Sequence, residues 1–482
     1  FWQQCVWEGH HVERTSEADI YVPSEQHWTV VRAVGQYRHD HLGIQDARTA
    51  VSVLDRLPMT ARKRLQRKKI LKAVGKTNPL RVTTKSPRHR GFDVSQDRTL
   101  IGRMAALDLY LEPMLGEPLP GLGGLSVNNI LEVWSMLTPL AEQLLSQFYH
   151  PDRITTVEEA LAFAPTISQP SLEAAVMRAT NLSKYDAGRA VELLTFTGNR
   201  DDTLWLQPLV RTRHDELTVV VTPLLSIQVL WLIEQLLAKG EADLEARGPE
   251  FEESVREQIG RCAKNGRLDA EAVPYDVEFR GEPVEPGQPE EEQIDLLIRV
   301  GSVILVGEVK CQLFPNTDAL RRHNYWKTLE DAAKQSKRKT KFVKYNRGKF
   351  LEKLGWADSD SIFFHPVVIT NVSLGVGFEV GGVPVADSRV VGQFLEQGTA
   401  VRNAVVGAEN EVFSADIESL YDSPEDAPGK LMDYLRNPPQ IRVILEAVTG
   451  DTRMHGVPFV PDDQERAVFS IYAKVRTSEE AV

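Results

Sequence analysis

The stretch Glu292–Cys311 reads EQIDLLIRVGSVILVGEVKC. Two apolar runs flank Gly301-Ser302, a pair suited to a two-residue type II′ turn, which places glycine first. If the chain reverses there, opposed residues sum to 603, so Val300 meets Val303, Ile298 meets Leu305 and Asp295 meets Glu308. The Cβ atoms of such a pair lie roughly 4.5–5.5 Å apart. Strand alternation puts Lys310 on the face of Glu308, together with Val306 and Ile304.

Two carboxylates facing one another in an apolar ribbon repel, so one must protonate or a cation must stand between them. Hard divalent ions such as Mg²⁺ bind through one or two carboxylates, waters and substrate phosphate oxygens. Lys310, two residues beyond Glu308, is placed to balance charge and to orient or help deprotonate an attacking water. The plainer reading is a salt bridge from Lys310 to either acid on a solvated sheet face. Against it stand the apolar neighbours Leu297, Val306 and Ile304 on that face.

Working outward, GPEFEESVREQIGRCAKNG (248–266) has helical spacing through Phe251, Val255, Ile259 and Cys262. Short strands are expected at 276–280, in the hairpin, at 363–371 and in GFEVGGVPVAD (377–387), with a cationic helix from Tyr325 to Tyr345 between them. Helix, strands, helix, strands is a mixed α/β layer pattern.

The combination of Ile-Asp295, a hairpin and Gly-Glu308-Val-Lys310 resembles the PD-(D/E)XK nuclease superfamily, over about residues 246–400. Glu-x-Lys occurs once in the chain, at the end of an apolar strand with an aspartate in register. The proline of the motif's name is absent, Ile294 standing in its place. The resemblance implies a restriction-endonuclease-like fold, a mixed sheet flanked by helices, and Mg²⁺- or Mn²⁺-dependent phosphodiester hydrolysis leaving a 5′-phosphate. Asp295, Glu308 and the carbonyl of Val309 would hold the metal, and Lys310 would position the water. Such nucleases often carry a glutamate on the preceding helix, which Glu252 matches, with Glu253 as the fallback; an acid stabilising a helix N-terminus fits as well. Gln335 and Arg338 in AAKQSKRK (332–339) resemble the glutamine and basic residues that relatives place after the lysine strand; a solvated helix face is the alternative.

Charge bears on the partner. The chain of 482 residues has a net charge of −12, yet Arg321–Lys349 holds 11 Lys/Arg against Glu330 and Asp331, and Arg56–Phe92 holds 13 with no acid. Local fields steer a polyanion more than the sum does. Arg321, Arg322, Lys334, Lys337 and Arg338 are therefore candidate contacts to a nucleic acid, DNA being expected; solvated helix faces remain the alternative. Three scattered cysteines argue against a disulfide framework or zinc module and favour a cytoplasmic protein. No apolar run of about 18 residues is present, so no membrane partner is expected. Because the chain opens on Phe1, further residues before it are expected. No Walker-type glycine loop appears, so an ATP-driven step would need a partner.

The first half reads differently. ARKRLQRKKILKAVGK (61–76) has helical spacing through Leu65, Ile70, Leu71 and Val74, and 130–148 is helical but interrupted by Pro139. Residues 171–196 hold two short helices joined at Ser183, which with Asp186 resembles a capping box. A ribbon over 204–221 and a helix from Thr222-Pro223 through Ala238 follow. Helix, turn, helix and ribbon resemble a winged helix, a plain bundle being the alternative. Four regions result: a basic segment 1–98, a mainly helical domain 99–245, a nuclease-like core 246–400, and an extension 401–482 packing on that core. A bacterial defence or restriction role is implied by resemblance alone. A non-cutting scaffold, a subunit of a larger complex and an oligomer remain open.

Overall fold

The computed structural model describes residues 10–14, 18–23, 69–75, 78–85, 111–148, 165–199, 202–227, 229–244, 247–287, 289–315, 319–406, 412–456 and 465–475, with isolated positions between 31 and 60. Two units divide the chain: Leu42–Arg247, and Phe1–His41 together with Gly248–Val482. Among the described residues no helix is long and apolar enough to cross a membrane.

The chain begins with an antiparallel hairpin, β1 (His10–Arg14) and β2 (Ala18–Pro23). In the unit Leu42–Arg247, β3 (Ile70–Val74) and β4 (Arg81–Lys85) form a second hairpin. The helical spacing over 61–76 is therefore corrected for Ile70–Val74, while Leu65 lies outside the described residues. Leu71 and Ala73 point into the core and Lys72 and Val74 outward, the period of two that a half-buried strand requires. The long α1 (Val127–Phe148) runs through Pro139 without a break, another departure from the sequence reading. Its Gln143 amide brackets β3, accepting from Ala73 N–H at 3.0 Å and donating to its carbonyl at 2.9 Å. The division expected at residue 98 does not coincide with a unit, because β3 and β4 share the core of α1 around Trp134.

Next come β5 (Thr166–Ser168), α2 (Gln169–Ala179), α3 (Lys184–Leu193), β6 (Thr195–Phe196), β7 (Leu209–Arg213) and β8 (Glu216–Val219), the strands ordered β5-β8-β7-β6. Ser183 caps α3, its hydroxyl accepting from Asp186 N–H at 3.1 Å. The single helix expected from Thr222 through Ala238 is two, α4 (Val221–Ser226) and α5 (Val229–Lys239), because Ile227 is extended at φ −63° and ψ 139°.

The other unit opens with α6 (Arg247–Asn265), then β9 (Ala270–Ala272), β10 (Val277–Arg280), β11 (Glu291–Ile294), β12 (Leu296–Val300) and β13 (Val303–Lys310). Helices α7 (Ala319–Tyr345) and α8 (Arg347–Leu354) lead to β14 (Phe363–Thr370), β15 (Glu379–Val380) and β16 (Val383–Ala386). The six-stranded sheet is ordered β15-β16-β14-β13-β12-β9. β12 is antiparallel to β13 in the sum-603 register, from Leu296↔Gly307 to Val300↔Val303. Gly301 turns at φ 53°, and Ser302 is not among the described residues with positive φ, as a type II′ turn requires. β13, β14 and β16 run parallel, and α7 supplies the crossover that parallel pairing demands.

One face of this sheet, with Leu297, Ile304 and Val306, shares a core with Ile294, Phe342, Val343, Phe350 and Phe364. Phe279 packs edge-on against Phe342 and Phe350, with ring centroids 5.7 and 5.0 Å apart. α9 (Ser388–Glu396), the pair β17 (Thr399–Val406) and β18 (Val412–Ser419), α10 (Ala427–Arg436) and α11 (Pro439–Ala447) complete the chain before its last two strands. Tyr434 of α10 donates to the carbonyl of Val390 in α9 at 2.8 Å. β19 (Val448–Gly456) and β20 (Glu465–Val475) join the opening hairpin in a sheet ordered β1-β2-β20-β19, with β2 parallel to β20.

Candidate functional site

Asp295 sits at a break. Before it, β11 pairs with β10; after it, β12 pairs with β13. The β12–β13 ladder therefore stops at Leu296–Gly307, and the Asp295 side chain takes over. Its Oδ2 accepts from Val309 N–H at 3.1 Å, satisfying a buried donor that the ladder would otherwise leave bare. In a strand the N–H and C=O of one residue face the same edge, so the Val309 carbonyl is also directed to the Asp295 side. Arg256 of α6 holds the break from behind, donating from Nη1 to the Asp295 carbonyl at 3.0 Å.

Continued one residue beyond Leu296↔Gly307, the sum-603 register sets Asp295 against Glu308; both carboxylates are buried and meet on one side chain. The cation between them is a residue that sequence reasoning missed. Lys339 of α7 places its Nζ 3.0 Å from Asp295 Oδ1 and 2.5 Å from Glu308 Oε2. Ser336, one turn earlier, explains why it arrives there: its buried hydroxyl donates to the Val306 carbonyl at 2.9 Å and accepts from Val367 N–H at 3.1 Å. That pins α7 over β13 and β14. Lys310 pairs with the other oxygen of Glu308, Nζ to Oε1 at 2.6 Å, and its side chain stays 28% exposed. The plain salt bridge and the buried acid pair thus coexist around one carboxylate.

Electrostatics follow the burial. Loss of water, reinforced by Glu308, raises the Asp295 carboxyl above its ordinary range, against Lys339 and the Val309 N–H. Burial works to lower Lys339, but Asp295 and Glu308 outweigh it and hold its ammonium above the usual value. Glu252 is also raised, by burial and then by Asp295, which shows that it lies within the field of the acid pair. Its Oε2 stands 3.9 Å from Arg256 Nη1, whereas Glu253 is exposed.

Other predicted residues are distributed unevenly. Gln335 is half-buried on α7, on the same stripe as Arg338 and Lys339 at three- and four-residue spacing. Arg338 Nη2 pairs with Glu292 Oε2 at 3.1 Å, and Glu292 is a buried acid that sequence reading passed over. Its alternation with Ile294 along β11 was the available signal. Burial raises the Glu292 carboxyl, against the pull of Arg338 and Lys339. Lys334 pairs with Asp331 at 2.9 Å, and Lys337 donates to the Gly381 carbonyl in the β15–β16 turn. Arg321 and Arg322 lie in the first turn of α7, roughly 25 Å along the helix from Lys339 at 1.5 Å per residue.

Among the described residues no three His, Cys, Asp or Glu side chains gather around a point that could hold a metal ion. Two carboxylate oxygens do converge on one cation, and a hard divalent ion needs little more from a protein when carbonyl, water and phosphate oxygens complete its shell. The donor set therefore fits Mg²⁺ or Mn²⁺, through Asp295, Glu308 and the Val309 carbonyl. Compared with known proteins, the chain matches no family model, no curated protein and no solved structure, so this site is read from its own geometry.

Proposed function

We propose that the chain is a metal-dependent nuclease with a restriction-endonuclease-like core, hydrolysing phosphodiester bonds of nucleic acid, with DNA as the expected substrate. The observation that carries this reading is the convergence of Asp295 Oδ1 and Glu308 Oε2 on a single cation beside Lys310. The antiparallel hairpin followed by parallel strands across a helix supports the fold assignment. Bound Mg²⁺ or Mn²⁺ supplies Lewis-acid polarisation of the phosphoryl oxygen and lowers the pKa of water. Asp295, Glu308 and the Val309 carbonyl would hold the ion. Lys310, partly exposed, orients the attacking water and offsets the charge that gathers on the phosphoryl group. Glu252, its carboxyl raised by burial and by Asp295, serves as a proton acceptor, and Gln335 shares the α7 stripe of Lys339.

In the helical unit, the order α2, capped turn, α3, then the β7–β8 ribbon supports a winged-helix reading, with β5, which precedes α2, pairing with β8. An open groove of about 640 Å³ beside α3, lined by Lys184, Tyr185, Arg189, Arg211, Glu173 and Glu192, suits a docking or sensing module better than a second catalytic centre.

The purified protein is incubated with plasmid, single-stranded DNA and RNA, with and without Mg²⁺ or Mn²⁺. Cleavage by the parent and none by Asp295→Ala or Lys310→Ala is expected. Full cutting by the double variant sinks the assignment. A second reading, a non-cutting nucleic-acid-binding scaffold, draws on the internal lysine already seated between the acids; metal-independent binding without cleavage would favour it.

A further inference from the structure

We propose that Lys339 is the site's exchangeable cation, which seals the acid pair until a divalent ion displaces it, an exchange that a bound polyanion favours. This rests on the nuclease reading and specifies how that site is regulated. Four carboxylates meet four cations here: Glu252 with Arg256, Glu292 with Arg338, Glu308 with Lys310, and Asp295 with Lys339, which also reaches Glu308. The cluster is neutral without a metal. Its two innermost members are well shielded, the side chains of Lys339 and Glu308 being 8% and 3% exposed.

Neutrality and geometry then act together. Divalent ions of this kind bind oxygen at about 2.0–2.1 Å. The oxygens that would bind one, Asp295 Oδ1 and Glu308 Oε2, already hold an ammonium at 3.0 and 2.5 Å. Both cations cannot use the same two oxygens, so the ion must displace Lys339. Displacement leaves a net charge of +2 beside two shielded carboxylates, and an ammonium that has lost both partners. Both costs are met by one class of ligand, a phosphodiester backbone, which balances the excess charge and gives the lysine a new acceptor. Four methylenes let the ammonium swing while Ser336 keeps the α7 backbone on β13 and β14. Metal and nucleic acid thereby bind cooperatively, each raising the affinity of the other by the same factor. Lys339 acts here as a positioning residue.

The experiment titrates the full chain and Lys339→Met with Ca²⁺ by calorimetry, alone and with a short DNA duplex. In the parent, DNA is expected to tighten Ca²⁺ binding by about ten-fold or more, within the usual range of coupling factors. Lys339→Met is expected to bind Ca²⁺ about ten-fold more tightly than the parent without DNA, and to gain little from DNA. Equal or weaker Ca²⁺ binding by the variant overturns the exchange. A second measurement needs no substitution: acetic anhydride labelling read by mass spectrometry should find Lys339 protected in chelator and modified in Ca²⁺. Unchanged protection of Lys339 at saturating Ca²⁺ overturns it as well. If neither protein binds Ca²⁺ with or without DNA, the exchange falls, while the nuclease reading stands or falls separately on cleavage in Mg²⁺ or Mn²⁺.

Discussion

Asp295 carries opposing demands: its Oδ2 caps a backbone donor, its Oδ1 holds a buried ammonium, and its neighbour across the ribbon is another acid. The net of these is a carboxyl held above its ordinary range, burial and Glu308 outweighing Lys339. A raised carboxyl pKa favours the protonated form in the folded state. Its contribution to stability is therefore complete below about pH 4, the unfolded value, and is lost as pH rises through the folded value. Asp295→Asn removes that loss, so in chelator it should melt above the parent at pH 7, and the two should converge near pH 4. A lower melting temperature at pH 7 would refute the sign. Lys339→Met acts oppositely, leaving two buried acids with no cation between them, at a cost of about 3–5 kcal/mol. Denaturant unfolding of both single variants and the double variant measures the coupling, and the double should lose less than Lys339→Met alone. At this scale the sequence disclosed the acid pair, because a two-residue turn makes register a matter of counting. It did not disclose Lys339. A lysine among eleven cations on one segment carries no mark of burial, and only the Ser336 anchor shows which one faces the sheet.

Elements hold the site through one glycine and one hydroxyl. Gly307 faces Leu296, and a Cβ there would lie 2.9 Å from the Leu296 Cβ. Gly307→Ala should push β12 from β13 at the rung beside the acid pair, costing about 1–3 kcal/mol in chemical denaturation. A change within 0.5 kcal/mol would mean that the ribbon accommodates the methyl group freely. Ser336→Ala leaves buried backbone groups of Val306 and Val367 without their side-chain partner, a loss of about 1–3 kcal/mol. Metal-dependent cleavage should fall with it, since Lys339 and the acids lose their common reference; unchanged cleavage at saturating metal would disconnect the anchor from the site. A strand with strict alternation, a strand that is an apolar run and a capped helix were legible in the sequence, as β10, β14 and the Ser183-capped α3 show. Ile70–Val74 was misread because Ile70, Leu71 and Val74 also satisfy a helical spacing, and pairing with β4 decides between the two periods.

Across the whole molecule, the excess of acid and the cationic α7 are less contradictory than they look in the sequence. Lys334, Arg338, Lys339, Lys341, Arg347 and Lys349 have carboxylate partners within the protein. Binding to a polyanion should therefore depend only modestly on salt. A plot of log affinity against log salt concentration is expected to have a slope no steeper than about −4, or roughly four phosphates neutralised. A slope near −8 in fluorescence anisotropy would mean that these pairs open on binding. The distribution of charge was legible in the sequence, but its internal use was not, because the acids that answer α7 and α8 come from outside them: Glu285 and Glu292 for α7, Glu282 and Asp358 for α8.

The parallel pairing of β2 with β20 has a consequence for biosynthesis. Ala18–Tyr21 waits for Glu465–Val468, so the ribosome must have released nearly the whole described chain before that sheet can close. The described strands of the unit Leu42–Arg247 find their partners much earlier, none of them reaching beyond Val219. A nascent chain therefore displays the paired strands of the helical unit first, while the unit bearing the acid pair closes the β2–β20 sheet only once Val468 has emerged.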